Sequence, residues 1–337
     1  MFSGHRLGYR TTLGVVGLYS LTAAAVAGTP LFFLYDDRPS LNFIAVLWLP
    51  VLGWYSLVTL QLIRRRRPDP LARIARYTRQ NRKRLLRTLL LIVVMVLWAS
   101  AFNIVKIHIP HMHFYWADPL LAAADRALLG TDAWRVTHAV LGDAGTVFLD
   151  RLYVGWFTVM LGFLAWAVSS RNVLFQLQSL LSFLLTWVVL GTLLATALAS
   201  VGPCYYELFY GQDDFAPLIG RLKANPEPLF ALAAMEYLRM VYGTVAHAGG
   251  ISAMPSLHVG VAVWCALVAR EGAQTRLPVV LATVFAVLIL IGSVHLGWHY
   301  LSDGLVSAVL TPVIWHLVRR FLALRPIATS LERSTPA

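Results

Sequence analysis

The sequence predicts an all-α protein, a polytopic bundle of about eight membrane-spanning helices. Three observations carry this. Of 337 residues, 58% are apolar and only 13% are Asp, Glu, Lys or Arg, roughly half the charge of a soluble domain. Mean hydropathy is +0.67. The apolar residues also fall in runs long enough to cross ~30 Å of hydrocarbon at 1.5 Å per residue. A soluble enzyme, a disordered chain and a disulfide scaffold are excluded, because too little charge is available to coat a water-facing surface.

The spans follow in order. The first, Thr12–Tyr35, comes after Arg6 and Arg10. This basic start and Ala25-Val26-Ala27 have features of a cleaved signal peptide, but the apolar run continues through Leu31–Tyr35, which favours a retained helix. Further spans are expected at Leu41–Ile63, Leu85–Ile107, Val147–Ser169, Leu177–Val201, Pro255–Arg270, Leu277–His295 and Leu301–Leu322. Leu229–Tyr242 is apolar but carries Glu236 and Arg239, so it belongs at the interface or inside the bundle. The chain divides into residues 1–84 (two N-terminal helices and a basic loop), a membrane domain over 85–322, and a tail over 323–337.

Charge sets the orientation. Arg64–Arg87 holds eleven basic residues and one acid, Asp69, which places that loop in the cytoplasm. Alternation then puts both termini, Arg171 and Arg270–Arg276 on the same side. The inside set has 20 basic and 3 acidic residues, the outside set 8 and 13. The net charge of +12 therefore reports topology and not a nucleic-acid partner. The basic run could also touch anionic lipid headgroups. The Arg-heavy, Lys-poor basic set fits a GC-rich bacterium and hence an inner membrane. Cys204 lies in a loop and Cys265 deep in an apolar run, so no disulfide is expected between them.

Two outer loops hold most of the remaining polar residues, about 108–146 and 202–250. In the first, Leu120, Leu121, Ala124 and Leu128 recur at helical spacing, with Asp118, Ala122 and Asp125 on another side. This predicts a short amphipathic helix lying on the outer surface.

Ionisable residues near a span are expensive and default to functional candidates. One cluster is Gly250-Ile-Ser-Ala-Met-Pro255-Ser256-Leu257-His258, and the other Ser293-Val-His295-Leu-Gly-Trp-His299-Tyr300-Leu-Ser-Asp303. Topology puts both at the outer face. On a helix, His299 and Asp303 would share a face, and a carboxylate on Nδ1–H leaves Nε2 free as nucleophile or base. Pro255 suits the first helical position, and free N–H groups in that turn favour an anion such as phosphate. An anion pocket, an oriented histidine and a second histidine fit phosphoryl transfer through a phosphohistidine.

Pro255-Ser256-Leu257-His258 followed by His299-Tyr300-Leu-Ser-Asp303 resembles the type-2 phosphatidic acid phosphatase (PAP2) superfamily, whose motifs include Pro-Ser-x-His and His-x-x-x-Asp. The resemblance covers about residues 85–322 and implies a six-helix catalytic core. Leu238-Arg239, Asp118-Pro-Leu-Leu with Asp125 and Leu-Leu-Gly130, and Gly202-Pro-Cys-Tyr-Tyr are similar to the branch containing inositol phosphorylceramide synthases. By this resemblance His299 is the nucleophile, Asp303 orients it, His258 is general acid and then base, and Ser256 and Arg239 hold phosphate oxygens. No metal or other cofactor is implied. There are two departures. The family's Lys-x6-Arg-Pro motif is absent as such, and Gly292 and Ser293 stand where Ser-Arg usually begins the third motif. The missing arginine suits a transferase holding a less charged phosphodiester, and Arg221 or Lys223 could compensate.

The expected activity is transfer of a phosphorylated headgroup, such as inositol phosphate, from a phospholipid donor to a lipid hydroxyl acceptor. The alternatives are a lipid phosphate phosphatase using water and a non-catalytic lipid transporter or binding bundle. Other features have plainer readings. Ser256 also serves as a helix cap, and Arg239 also suits a structural pair with Glu236. His295 could complete a metal stripe with His299 and Asp303, though the phosphate cluster is explained without metal. His108, His111 and His113 read as interfacial, and Glu207, Asp213 and Asp214 as solvated loop charge more readily than as readers of acceptor hydroxyls.

Overall fold

A computed structural model describes residues 2–28, 69–112, 114–242 and 250–323, with single positions 56, 60 and 64. Among the described residues there is no strand. Six helices are long and apolar enough to cross a membrane: Gly8–Ala27, Arg82–Ile109, Asp143–Ser169, Val173–Ala197, Arg276–His295 and Leu301–Ala323. They correspond to the expected spans one, three, four, five, seven and eight. The expected second span, Leu41–Ile63, lies outside the described residues apart from Ser56 and Leu60, as do residues 29–35 and 324–337.

The elements in chain order are α1 (Phe2–Ala27), the basic α2 (Pro70–Gln80), α3 (Arg82–Met112), α4 (Asp118–Leu129), α5 (Ala133–Val140) and α6 (Asp143–Ser169). Next is α7 (Val173–Val188), which continues through a π turn, Val189–Leu194, to Ala195–Ala197. Three shorter helices follow, α8 (Tyr206–Tyr210), α9 (Ala216–Lys223) and α10 (Phe230–Val241). The last three, α11 (Leu257–Gly272), α12 (Arg276–His295) and α13 (Leu301–Ala323), close the bundle.

The expected sixth span is α11, with 16 residues. At 1.5 Å per residue it is about 24 Å long, less than the hydrocarbon thickness. It packs against α6, α7, α12 and α13, so protein rather than lipid surrounds it. Val261, Ala262, Trp264, Val268 and Ala269 are fully buried. The small residues let neighbours approach closely: a Cβ on Gly260 would lie 2.8 Å from Leu190 Cδ1. Trp264 satisfies its indole by donating to the Ser179 carbonyl at 3.0 Å.

One expectation is corrected. Pro255 does not open α11. Ser256 is its N-cap, with the hydroxyl accepting from Val259 N–H at 3.4 Å, and the first helical residue is Leu257. Serine is the stronger capping residue because its oxygen satisfies an otherwise orphaned donor. The surface helix α4 packs on the rest of the protein through its acidic side. Asp118, Leu121, Ala122 and Asp125 are its buried face, whereas Leu120 and Leu128 are 58% and 62% exposed.

Its acids face inward because they bind backbone donors. Asp125 accepts from Leu301 N–H at 2.6 Å and Ser302 N–H at 2.9 Å, capping α13 from another helix. Asp118 accepts from Val201 and Gly202 N–H at 2.9 and 2.8 Å and from the hydroxyls of Tyr210 and Tyr300 at 3.0 and 3.1 Å. Asp150 on α6 caps α10 in the same way, through Phe230 and Ala231 N–H at 2.9 and 2.8 Å. Charged acceptors on otherwise orphaned helical donors give strong bonds. Asp125→Ala is expected to destabilise the fold by about 2 kcal/mol, read as a lower unfolding midpoint in detergent, whereas Asp213→Ala in the α8–α9 loop leaves the midpoint within error.

Candidate active site

The site forms where three chain breaks meet: the start of α11, the turn between α12 and α13, and the segment after α7. Helix α12 ends at His295. The chain then folds over Gly297, at φ 79°, so that both Trp298 and His299 N–H donate to the Ser293 carbonyl at 3.0 and 3.1 Å. Gly202, at φ 84°, packs on this turn: a Cβ there would lie 2.5 Å from the Trp298 carbonyl oxygen. Cys204 N–H donates to the Gly297 carbonyl at 2.9 Å. Both glycines are thus required by positive φ, and Gly202 by close approach as well.

His299 lies just before α13 and not on it, so the expected helical pairing with Asp303 arises differently. Asp303 is the third residue of α13 and reaches back to Tyr300 N–H at 3.1 Å, as in a capping box. The same Oδ2 lies 3.3 Å from His299 Nδ1. Asp303 is fully buried and His299 is 6% exposed. With Nδ1 engaged, Nε2 is the nitrogen left for chemistry.

His258 enters from the first turn of α11. Its ring stacks on Tyr153 at 4.4 Å and lies 4.6 Å from the Trp156 ring. Trp156 donates its indole N–H to the His258 carbonyl at 2.9 Å. The centroids of the two histidine rings, His258 and His299, are 6.0 Å apart. Ser256 N–H donates to the Asp303 carbonyl at 3.3 Å, tying the two motifs together through backbone.

Both histidines line a cavity of about 600 Å³. Its walls include Trp98, Phe102, Phe183, Trp187 and Met160, with Leu257 near the histidines. The π turn adjoins it: a Cβ on Gly191 would meet Leu257 Cδ1 at 2.7 Å and the Phe102 ring at 2.8 Å. Such turns often accompany functional sites.

The structure brings together His258, His299 and Asp303, with Ser256 close by through backbone. Ser256 is fully buried, and its hydroxyl is used as the cap. It does not bring Arg239 to the cavity. That side chain is half-exposed and pairs with Glu236 at 2.7 Å, because both extend from the same face of α10 into solvent. Arg221 and Lys223 also lie outside the cavity lining. Asp214 pairs with Arg126 at 2.9 Å, and Glu207 and Asp213 do not line the cavity. His295 holds Thr146 through Nε2 at 2.8 Å and Thr137 through Nδ1 at 3.1 Å, leaving neither nitrogen for a metal. It stacks on His138 at 3.7 Å, and burial pushes the His138 imidazole below its ordinary value. His108 bonds the Ile104 carbonyl at 2.8 Å. The His111 and His113 side chains lie outside the described residues.

Sequence reasoning missed Lys106, Tyr153, Trp156 and Asp150, all of which line the cavity. Lys106 had a signal, being a charge near the end of an apolar run. Among the outer residues, burial pushes the Asp118 carboxyl above the usual carboxylate range, while its four donors oppose that shift.

Residues 120–317 match the family model of the PAP2 superfamily. The chain belongs to that superfamily. It is therefore an enzyme of the phosphatase and phosphotransferase class acting on phosphate esters. No curated protein and no solved structure matched the chain. The matched stretch contains both histidine motifs of this PAP2 member and the capping helix α4 almost whole, and it excludes Lys106.

Gly202→Ala is expected to remove most turnover and lower the unfolding midpoint, since φ and space both forbid a side chain. Gly211→Ala provides the control. It also sits at positive φ, 65°, but with open space around it, and is expected to cost only about 1 kcal/mol with turnover unchanged.

Proposed function

We propose that this enzyme moves a phosphorylated headgroup from a phospholipid to a lipid hydroxyl through a phosphohistidine. The observation that carries the reading is the pair of histidines across one cavity, 6.0 Å apart, with Asp303 on Nδ1 of only one of them. That asymmetry supports two distinct roles. His299 Nε2 attacks phosphorus, and the bond from phosphorus to the diacylglycerol oxygen breaks. His258, protonated, gives its proton to that leaving oxygen. The acceptor hydroxyl then attacks the phosphohistidine, loses its proton to neutral His258, and the phosphorus–nitrogen bond breaks. Asp303 holds the His299 tautomer and stabilises the positive ring during attack.

The cavity wall favours a lipid acceptor over water. Aromatic and methionine side chains around the histidines bind alkyl chains and disfavour ordered water. The phosphatase reading remains the same chemistry with water in the second step. A headgroup such as inositol phosphate fits the inositol phosphorylceramide synthase branch to which the motifs are similar.

The site is assigned to the non-cytoplasmic side. Support comes from charge: Arg84, Ser169, Glu271 and Arg319 contact one another in pairs at the opposite end of the bundle, where the basic residues collect. Both termini would then be cytoplasmic.

Purified enzyme given a headgroup-labelled phospholipid is expected to yield labelled product only when ceramide or diacylglycerol is present. Labelled headgroup phosphate released into water in place of lipid product would instead establish hydrolysis. His299→Ala is expected to abolish turnover, and His258→Ala to lower it by about 10²–10⁴-fold. Near wild-type rates in His299→Ala would overturn the mechanism and favour a transporter or binding bundle.

A further inference from the structure

The cavity lining contains one lysine, Lys106, with no acidic partner among the described residues. Lys106 projects from α3 into the lining, among the buried neighbours Val105 and Ile107. Among the described residues it makes no hydrogen bond and no ion pair. The one carboxylate in the cavity lining, Asp150, already accepts from Phe230 N–H, Ala231 N–H and Arg151. Lys106 is close enough to His258 for the two to interact electrostatically. It is also built into the site: a Cβ on Gly250, in the segment leading to Pro255, would lie 2.9 Å from Lys106 Cγ. An ammonium held in an apolar cavity costs several kcal/mol unless an anion accompanies it. Among the described residues the chain supplies no such anion, and an anionic ligand fits that role.

We propose that Lys106 is the counterion of the substrate phosphate, and that this single fixed cation selects a phosphodiester over a phosphomonoester. The proposal rests on the phosphotransfer reading above and names the donor class. A phosphodiester carries one negative charge shared over two non-bridging oxygens. A monoester carries about 1.5 to 2 charges over three at neutral pH. His258 serves the leaving oxygen, so its proton is spent along the reaction axis. The non-bridging oxygens meet Lys106, the one Lys or Arg side chain among the described lining residues, as an ammonium. One charge is matched, whereas a second would be buried against Trp and Phe walls.

The test uses the full-length enzyme in detergent with two chain-matched substrates, dodecyl 4-nitrophenyl phosphate (a monoanionic diester) and dodecyl phosphate (a monoester). Wild type is expected to favour the diester in kcat/KM by at least about tenfold; preference for the monoester would overturn the selection. Binding of the inert monoanion dodecyl methylphosphonate is read by quenching of Trp98 and Trp187. Lys106→Met is expected to weaken that binding by about tenfold or more, to leave dodecanol binding unchanged, and to keep or raise the unfolding midpoint, since an uncompensated charge is removed. Lys106→Arg is expected to restore most of the binding. Wild-type affinity for the phosphonate in Lys106→Met would overturn the assignment. His299→Ala separates the two readings. It should still bind the phosphonate while losing turnover, so retained turnover there counts against the phosphohistidine alone.

Discussion

The arrangement depends on buried carboxylates that bind backbone N–H groups of other helices. Asp125 caps α13, Asp118 clamps the segment after α7 and the Tyr300 hydroxyl, and Asp303 closes the same turn from within. The bonds from Asp125 satisfy helix-end donors that would otherwise be stranded away from water. Their collective effect is positional. His299 is fixed by donors immediately after it in the chain, and those donors are held by α4, a helix contributing no side chain to the cavity lining.

This explains why His299 can stand outside regular structure and still be rigid. A histidine on a helix would be oriented by the helix. Here orientation comes from the turn at Gly297, the paired bonds to the Ser293 carbonyl, and the cap by Asp303. His258 is fixed differently, by ring contacts with Tyr153 and Trp156 and by the indole bond to its carbonyl. One ring is held by hydrogen bonds and the other by packing, which suits a fixed nucleophile and a proton carrier that must change charge.

The spans were legible because hydrocarbon thickness imposes a length on every helix that faces lipid. Where that constraint lapses, as in α11, the reading was less accurate, and the helix starts two residues later than Pro255. The His299–Asp303 pair and His258 were legible as motif spacing. What the acids of α4 bind was not, because periodicity separates an apolar from a polar side without saying what covers either. Leu120 and Leu128 face outward, and the acids turn inward to donors invisible in sequence. Lys106 carried the signal of a charge near a span end, but its link to His258 was hidden, because about 150 residues separate them and only the tertiary fold joins them. Arg239 had the residue type expected of a phosphate ligand, but its neighbour Glu236 is three positions away on the same face and takes it.

The π turn at Val189–Leu194 has a consequence for phase. It holds about one residue more per turn than an α-helix, so everything after it is rotated by roughly 100° relative to an uninterrupted helix. Ser200, Val201 and Gly202 follow directly. Ser200 receives Ala253 and Met254 N–H, and Val201 and Gly202 give theirs to Asp118. The extra residue acts as an angular offset between the membrane part of α7 and the site it feeds. Removing it would leave the span intact and turn its polar end away from both partners.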